Sequence, residues 1–373
     1  MKKKLAIIGA SYLQLPLVKK AKEMGIETHC FAWEAGAVCK DIADYFYPLS
    51  IIEKEAILEK CQEIKIDGTA TIASDVAAPT VAYIAEKMGL VGNSYESAVK
   101  ANNKYLMREA FMNANVPCPQ YRMVTDTDSL SGINWTYPLI VKPSDRSGSL
   151  GVQKVNAPSS LPEAVQKALE VSFKKEAMIE EFIEGREISV EFISYQGKHY
   201  PLTITDKVTT GAPHFVELEH HQPSSLSEEE YNNIYDITKR ALTALGITNG
   251  ASHSEYKITD DGRICIMEIG ARMGGDFIGS DLVFFSTGYD FLKGVIEVAL
   301  GDFHEPIISE HRHSGVYFLS AETKHLKPII ENWKNYPEIV EAEITDPKLR
   351  PIECSGDRSG YFIYQSNTKY QIL

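Results

Sequence analysis

Hydrophobic residues fall in two patterns along the chain, and they change near residue 100. Up to that point short apolar runs alternate with stretches of helical period. Residues 4–8 (KLAII) read as a buried strand, 14–24 (QLPLVKKAKEM) as a helix closed by Gly25, and 26–32 (IETHCFA) as a second strand. A helix over 53–64 and a strand over 69–73 (TATIA) follow, and Ser74-Asp75 is placed to cap a helix ending at Met88-Gly89. Such alternation predicts a parallel sheet with helices on its faces, a Rossmann-like α/β unit over 1–100. Beyond it come a helix over 102–113, two strands round a Gly/Ser-rich loop in 138–155, a helix over 162–172 and a strand over 177–183. Strands over 186–195 and 199–205, a helix over 228–245 and a hairpin over 252–269 complete the pattern. The shift from crossovers to hairpins predicts a mixed α+β body, divided as 101–183, 184–300 and a closing segment 301–373 in which RSGYFIYQ reads as an edge strand.

Composition narrows the partners. The 373 residues carry a formal charge of −13, which disfavours nucleic acid and anionic membranes. No run approaches the ~20 apolar residues of a membrane helix. The six cysteines form no C-x-x-C pair and read as reduced thiols, which points to the cytoplasm. Partners are therefore expected to be small molecules, and a homodimer is compatible with the sequence.

The first turn, GASYLQ, places Ser11 and Gln14 where a dinucleotide fingerprint needs its second and third glycines, so a nicotinamide cofactor is disfavoured. That turn and the Ser74-Asp75 turn both follow strand C-terminal ends, where ligands bind in open α/β sheets.

Three segments carry chemistry. In SHSEYKITDDGRICIMEIGARMGGD, Asp261-Gly262 is a preferred two-residue turn, and counting outward from it sets Glu255 opposite Glu268. Two carboxylates at that spacing repel unless a cation lies between them, and an oxygen-only pair suits Mg²⁺. His253 falls on the same face opposite Gly270, and Arg272 follows, suited to phosphate oxygens. In VKPSDRSGSLGV, Lys142 ends an apolar strand, and Ser147, Gly148, Ser149 and Gly151 form a loop rich in free N–H groups. In MIEEFIEGREISVE, Glu180 and Glu181 precede a hinge at Gly185, with Glu187 just beyond. Each segment has a plainer reading too: a solvent-facing hairpin, a simple turn, a charged strand edge.

Taken in order with NNKYLMREAF, these segments resemble the ATP-grasp superfamily, nearest its carbamoyl-phosphate-synthase-like and L-amino-acid-ligase branch, over roughly residues 1–300. The resemblance implies an ATP-grasp fold preceded by a Rossmann-like domain, and an ATP- and Mg²⁺-dependent carboxylate–amine ligase that releases ADP and phosphate. It implies that Lys104 and Lys142 hold phosphates, that Ser147 to Gly151 close as a lid, and that Glu180, Glu181 and Ile183 lie along the adenine edge. Glu187 would bind ribose, Glu255 and Glu268 would bind Mg²⁺, and Arg272 would stabilise the transferred phosphoryl group. Two departures stand out: Gly270 occupies the place of a metal-ligating Asn in many members, and Asp145-Arg146 adds charge to the lid. Purine-pathway or carboxylase-type activation of formate or bicarbonate, and ATP binding without turnover, are the alternatives.

The long segment 205–226 reads as a substrate loop carrying Lys207, His220 and His221. With Ser74, Asp75, His253 and Arg272, these are the expected substrate contacts.

Overall fold

The computed structural model describes residues 2–130, 135–146, 150–211, 214–370 and 372. Strand β1 (Lys4–Ile8), helix α1 (Leu15–Glu23), β2 (Glu27–Phe31), β3 (Tyr45–Tyr47), α2 (Lys54–Ile64) and β4 (Gly68–Ala70) build a parallel sheet in the order β3-β2-β1-β4. Leu5, Ala6, Ile7 and Ile8 are fully buried, as a central parallel strand covered on both faces requires. Helix α3 (Ala78–Met88) starts later than expected, and Ser74 and Asp75 do not cap it; Gly89 ends it in the left-handed conformation. Gln14 fills the first turn. Its side chain accepts from the Ser11 N–H at 3.1 Å and donates to the Ile72 carbonyl at 2.8 Å.

Helices α4 (Tyr95–Asn102) and α5 (Lys104–Asn113) lead out of this unit. Asn103 breaks the helical run between them and caps α5, its side chain accepting from the Leu106 N–H at 2.9 Å. A four-stranded antiparallel sheet follows, β5 (Tyr121–Val124), β6 (Leu139–Pro143), β7 (Gln153–Val155) and β8 (Ala177–Glu181), with α6 (Leu161–Val171) packed on it through Val165 and Ala168.

The third sheet has eight strands. It contains β9 (Arg186–Tyr195), β10 (Lys198–Thr209), β11 (Glu217–Gln222), β12 (Gly250–Ile258) and β13 (Ile264–Gly270). Helix α7 (Glu228–Leu245) lies between β11 and β12, opened by a Ser227–Glu230 capping box and closed by Gly246. After α8 (Val283–Thr287) and α9 (Phe291–Leu300) come β14 (His313–Leu319), α10 (Lys327–Glu331), β15 (Ile339–Ile344) and β16 (Gly360–Ser366). The order is β13-β12-β9-β10-β11-β14-β16-β15, so the strands of 301–373 extend the sheet begun in 184–300. Strand β16, expected at an edge, lies between β14 and β15.

The parts of the stretch 205–226 that carry Lys207, His220 and His221 are strand rather than loop: β10 and β11 pair directly, Lys207 opposite His220. The 250–270 hairpin also differs locally. The Thr259 N–H donates to the Arg263 carbonyl at 3.0 Å, so the turn holds three residues, Asp260 to Gly262, with Gly262 at φ +84°. A bulge between Glu255 and Tyr256 restores the count, and Glu255 does face Glu268. Among the described residues, no helix is long and apolar enough to cross a membrane.

Candidate active site

The two antiparallel sheets enclose a cleft of about 380 Å³, which the N-terminal unit reaches through Asp75. Its floor comes from one face of the large sheet. Because side chains alternate across a strand, His253, Glu255 and Lys257 of β12 share that face with Glu268 of β13, Glu187 of β9 and Lys207 of β10. The roof comes from β6 and β8, with Lys142, Glu180 and Glu181. One end is closed by α5 with Lys104, and by Asp75 and Arg272.

Most charges in the cleft are paired. Lys104 donates to both Glu268 oxygens, at 3.1 and 3.0 Å, and Lys207 donates to Glu255 at 2.8 Å. Arg272 donates to Asp75 at 2.7 Å, and Lys257 lies 3.1 Å from Glu187. Glu180, whose side chain is sealed from solvent, contacts Lys142 and lies 2.9 Å from Arg108. Burial would raise the Glu180 pKa, but Arg108 and Lys142 outweigh it and hold the carboxyl below the usual range. Burial lowers Lys142, with Glu180 opposing. Lys207 holds Glu255 well below the carboxylate range, against burial. Burial disfavours a charged His253, yet Glu191 beside it raises the imidazole to about 9.

Lys104, Lys142, Glu180, Glu181, Ile183, Glu187, Lys207, His253, Glu255, Glu268, Arg272 and Asp75 all line the cleft, far apart in sequence as they are. Glu180 turns its carboxylate toward Lys142 and Arg108, and its backbone is laddered between Tyr121 of β5 and Ile140 of β6. Glu181 is engaged by Arg263 through both carboxylate oxygens. His220 and His221 do not reach the cleft lining. Burial and nearby Lys207 push His220 well below its ordinary pKa, and its ring packs edge-on against Phe318. His221 bonds Tyr364 Oη at 3.0 Å and Glu219 at 2.8 Å. Ser74 is half-buried beside Asp75 without joining the lining. Gly151 sits in a turn at φ +77°, packed near Pro143. Ser147, Gly148 and Ser149 lie outside the described residues, so the lid expectation does too.

Two arginines were missed in the sequence. Arg108 follows Lys104 by four residues, on the same face of α5, and its Nη2 donates to the Met267 carbonyl at 2.7 Å. That spacing was a usable signal. Arg358 precedes β16, and its guanidinium donates to Asp276 at 2.8 Å and Glu217 at 3.1 Å. No local pattern marks it.

The donor set fits Mg²⁺. Glu255 and Glu268 are register partners, each open to the cleft by more than a third of its side chain. Among the described residues no group of three or more His, Cys, Asp or Glu is arranged to hold a metal. A two-carboxylate site suits an ion that completes its shell with water and phosphate oxygens, as Mg²⁺ does.

Comparison with known proteins agrees with this geometry. Residues 135–281 match the ATP-grasp domain family. The chain carries an ATP-grasp domain over those residues. Its ATP-grasp domain thus spans β6 to β13, the strands that carry most of the cleft. Over 271 residues the chain is 27% identical to alanine–anticapsin ligase of Bacillus subtilis strain 168, a match covering 63% of this chain and 57% of that protein. It is 26% identical over 216 residues to D-alanine–D-alanine ligase of Geobacter sulfurreducens, covering 52% of this chain and 63% of that protein. The match thus spans little more than half the length of the first of these relatives. Among solved structures, an L-amino acid ligase from Bacillus licheniformis superposes with a TM-score of 0.81 at 25% identity, covering 99% of this chain and 94% of that one. Phosphoribosylglycinamide synthetase from Anaerococcus prevotii superposes with a TM-score of 0.80 at 23% identity, covering 99% and 95%, and shares the fold.

Proposed function

We propose that this protein is an ATP-dependent carboxylate–amine ligase that activates a small carboxylate, an amino acid, as its acyl-phosphate and releases ADP and phosphate. The observation that carries the reading is the convergence of Lys104, Lys142 and Arg272 on a cleft whose floor presents the opposed pair Glu255 and Glu268. A carboxylate is a poor electrophile because its leaving group would be an oxide; phosphorylation supplies a good one. Little covalent chemistry is then left to the protein, and fixed charge and positioning do most of the catalysis.

Lys104 and Lys142 would bind the nucleotide phosphates, exchanging contacts with Glu268 and Glu180 for phosphate oxygens. Glu187 would accept from a ribose hydroxyl, and the backbone from Glu181 to Ile183 would meet an adenine edge. Mg²⁺ between Glu255 and Glu268 would neutralise phosphate charge. Arg272 would orient the acid's carboxylate toward the terminal phosphate and offset charge on the transferred group. The ligase names among the relatives support the amino-acid class.

Incubation with Mg-ATP, hydroxylamine and a panel of carboxylates tests the reading. Acid-dependent ADP release with a matching hydroxamate is expected. ADP release that never depends on an added acid contradicts it.

A further inference from the structure

The floor of the site has a gap at Gly270, two residues beyond Glu268 on the same face of β13. A Cβ built there would stand 2.7 Å from Asp75 Oδ1 and 2.9 Å from the Arg272 guanidinium carbon. The missing side chain is thus what lets Asp75, from the N-terminal unit, meet Arg272, from the ATP-grasp domain. The meeting is fixed by backbone as well. Ile72 bridges Met273, the Ala73 N–H donates to the Met273 carbonyl at 3.1 Å, and Ala73 holds φ +56°, unusual for a residue with a side chain.

Asp75 borders two cavities. One is the nucleotide cleft. The other, about 250 Å³, is also lined by Lys104 and Glu268 and carries an apolar wall of Val76, Pro79, Tyr95 and Val99. The clasp therefore presents a fixed cation and a fixed anion side by side at the phosphate end of the cleft, with room beyond for an organic group.

We propose that the Asp75–Arg272 clasp is the recognition site for the zwitterionic head of an α-amino acid: Arg272 takes the carboxylate to be activated and Asp75 takes the α-ammonium. This rests on the ligase reading above. Charge is conserved on binding, since one internal ion pair is exchanged for two pairs with the ligand. A carboxylic acid lacking the ammonium gains the Arg272 contact but leaves Asp75 facing a bare CH₂. Sites built around a polar group reject analogues that lack it by large factors, and ~10²-fold or more is expected here. Gly270 is part of the device, because any larger residue displaces one of the two charges.

The test compares L-alanine, L-leucine and L-phenylalanine with their deaminated acids, propionate, 4-methylvalerate and 3-phenylpropionate. Hydroxamate formation is measured with Mg-ATP, and binding by calorimetry with Mg-ADP. The wild type is expected to prefer at least one amino acid over its deaminated partner by ~10²-fold or more. Asp75→Asn should shrink that ratio to within ~10-fold, mainly by raising KM for the amino acid. The deaminated acids should do as well as before or better, because Arg272 is released from its partner. Gly270→Ala should lower the ratio in the same sense. Equal losses for both acid types in Asp75→Asn would reduce Asp75 to a positioning residue for Arg272 and overturn the proposal, as would a wild type indifferent to the amino group in both assays. Selective binding of amino acids without hydroxamate would instead sustain this proposal and contradict the ligase reading.

Discussion

Lys142 shows how burial changes the cost of removing a charge proposed to bind phosphate. The sequence marks Lys142 only as the end of an apolar strand and shows no buried partner for it. The structure sets it against Glu180, which is sealed from solvent and has Arg108 as its other counter-charge. Lys142→Ala is therefore expected to cut turnover by ~10²–10³-fold, the scale of losing one electrostatic stabiliser. It should also cost ~1–3 kcal/mol in urea melts, since Arg108 still satisfies Glu180. Glu180→Gln should cost more, on the order of 3–5 kcal/mol, because it leaves two cations facing each other without their anion. A Glu180→Gln protein as stable as wild type would mean that the trio is not coupled. The acid pair needs a similar revision. Glu255 and Glu268 are each matched by a lysine, Lys207 and Lys104, so replacing one relieves no repulsion. Glu268→Gln should leave Lys104 unmatched, slightly lower the melting temperature without metal, and abolish the rise produced by Mg-ADP. The activity loss of Glu255→Gln with Glu268→Gln should fall well short of the product of the singles, as residues of one site are non-additive. A multiplicative loss would place them in separate sites.

At the scale of elements, periodicity was a good guide wherever an element buries one face. Strands β1, β2, β8 and β9 and helices α2, α6 and α7 lie within a few residues of where hydrophobic spacing puts them. The hairpin shows where such reading fails. The turn is one residue longer than Asp261-Gly262 alone implies, and the bulge beside Glu255 cancels the difference; turn residues carry no information about a bulge further along the strand. The 205–226 segment misled for another reason. Its polar residues, His220, His221 and Gln222, are buried in a sheet whose covering strand, β14, lies about a hundred residues on. One element offers a clean pH test. Asp281, in the turn leading to α8, is raised to about 6, chiefly by burial and then by Glu341. Its unfolded value is ~3.9, so the unfolded chain ionises first and stability falls as pH rises from about 4 to 6. Asp281→Asn should melt with wild type near pH 4 and above it at pH 7. Curves offset equally at both values would assign the effect to packing.

For the molecule as a whole, the site is an assembly of distant parts. The N-terminal unit supplies Asp75, α5 supplies Lys104 and Arg108, the small sheet supplies Lys142 and Glu180, and the large sheet supplies the acid pair. Local motifs made each of these legible except Arg108. The C-terminal strands were not legible, because Arg358 joins Glu217 and Asp276 only through sheet topology. Since β14 covers β11, a chain ending at residue 312 should give no folded, ATP-binding product. Cooperative melting of that fragment with nucleotide binding intact would make 301–373 a separable subdomain.

In the proposed reaction one oxygen passes from the acid to phosphate through an acyl-phosphate. An acid that supports turnover, labelled with ¹⁸O in its carboxylate, tests it directly when turned over with Mg-ATP and an amine. The inorganic phosphate should carry one ¹⁸O per turnover, read by mass spectrometry or the ³¹P isotope shift, with ADP formed in equal amount. Unlabelled phosphate, or label recovered in AMP, would contradict it.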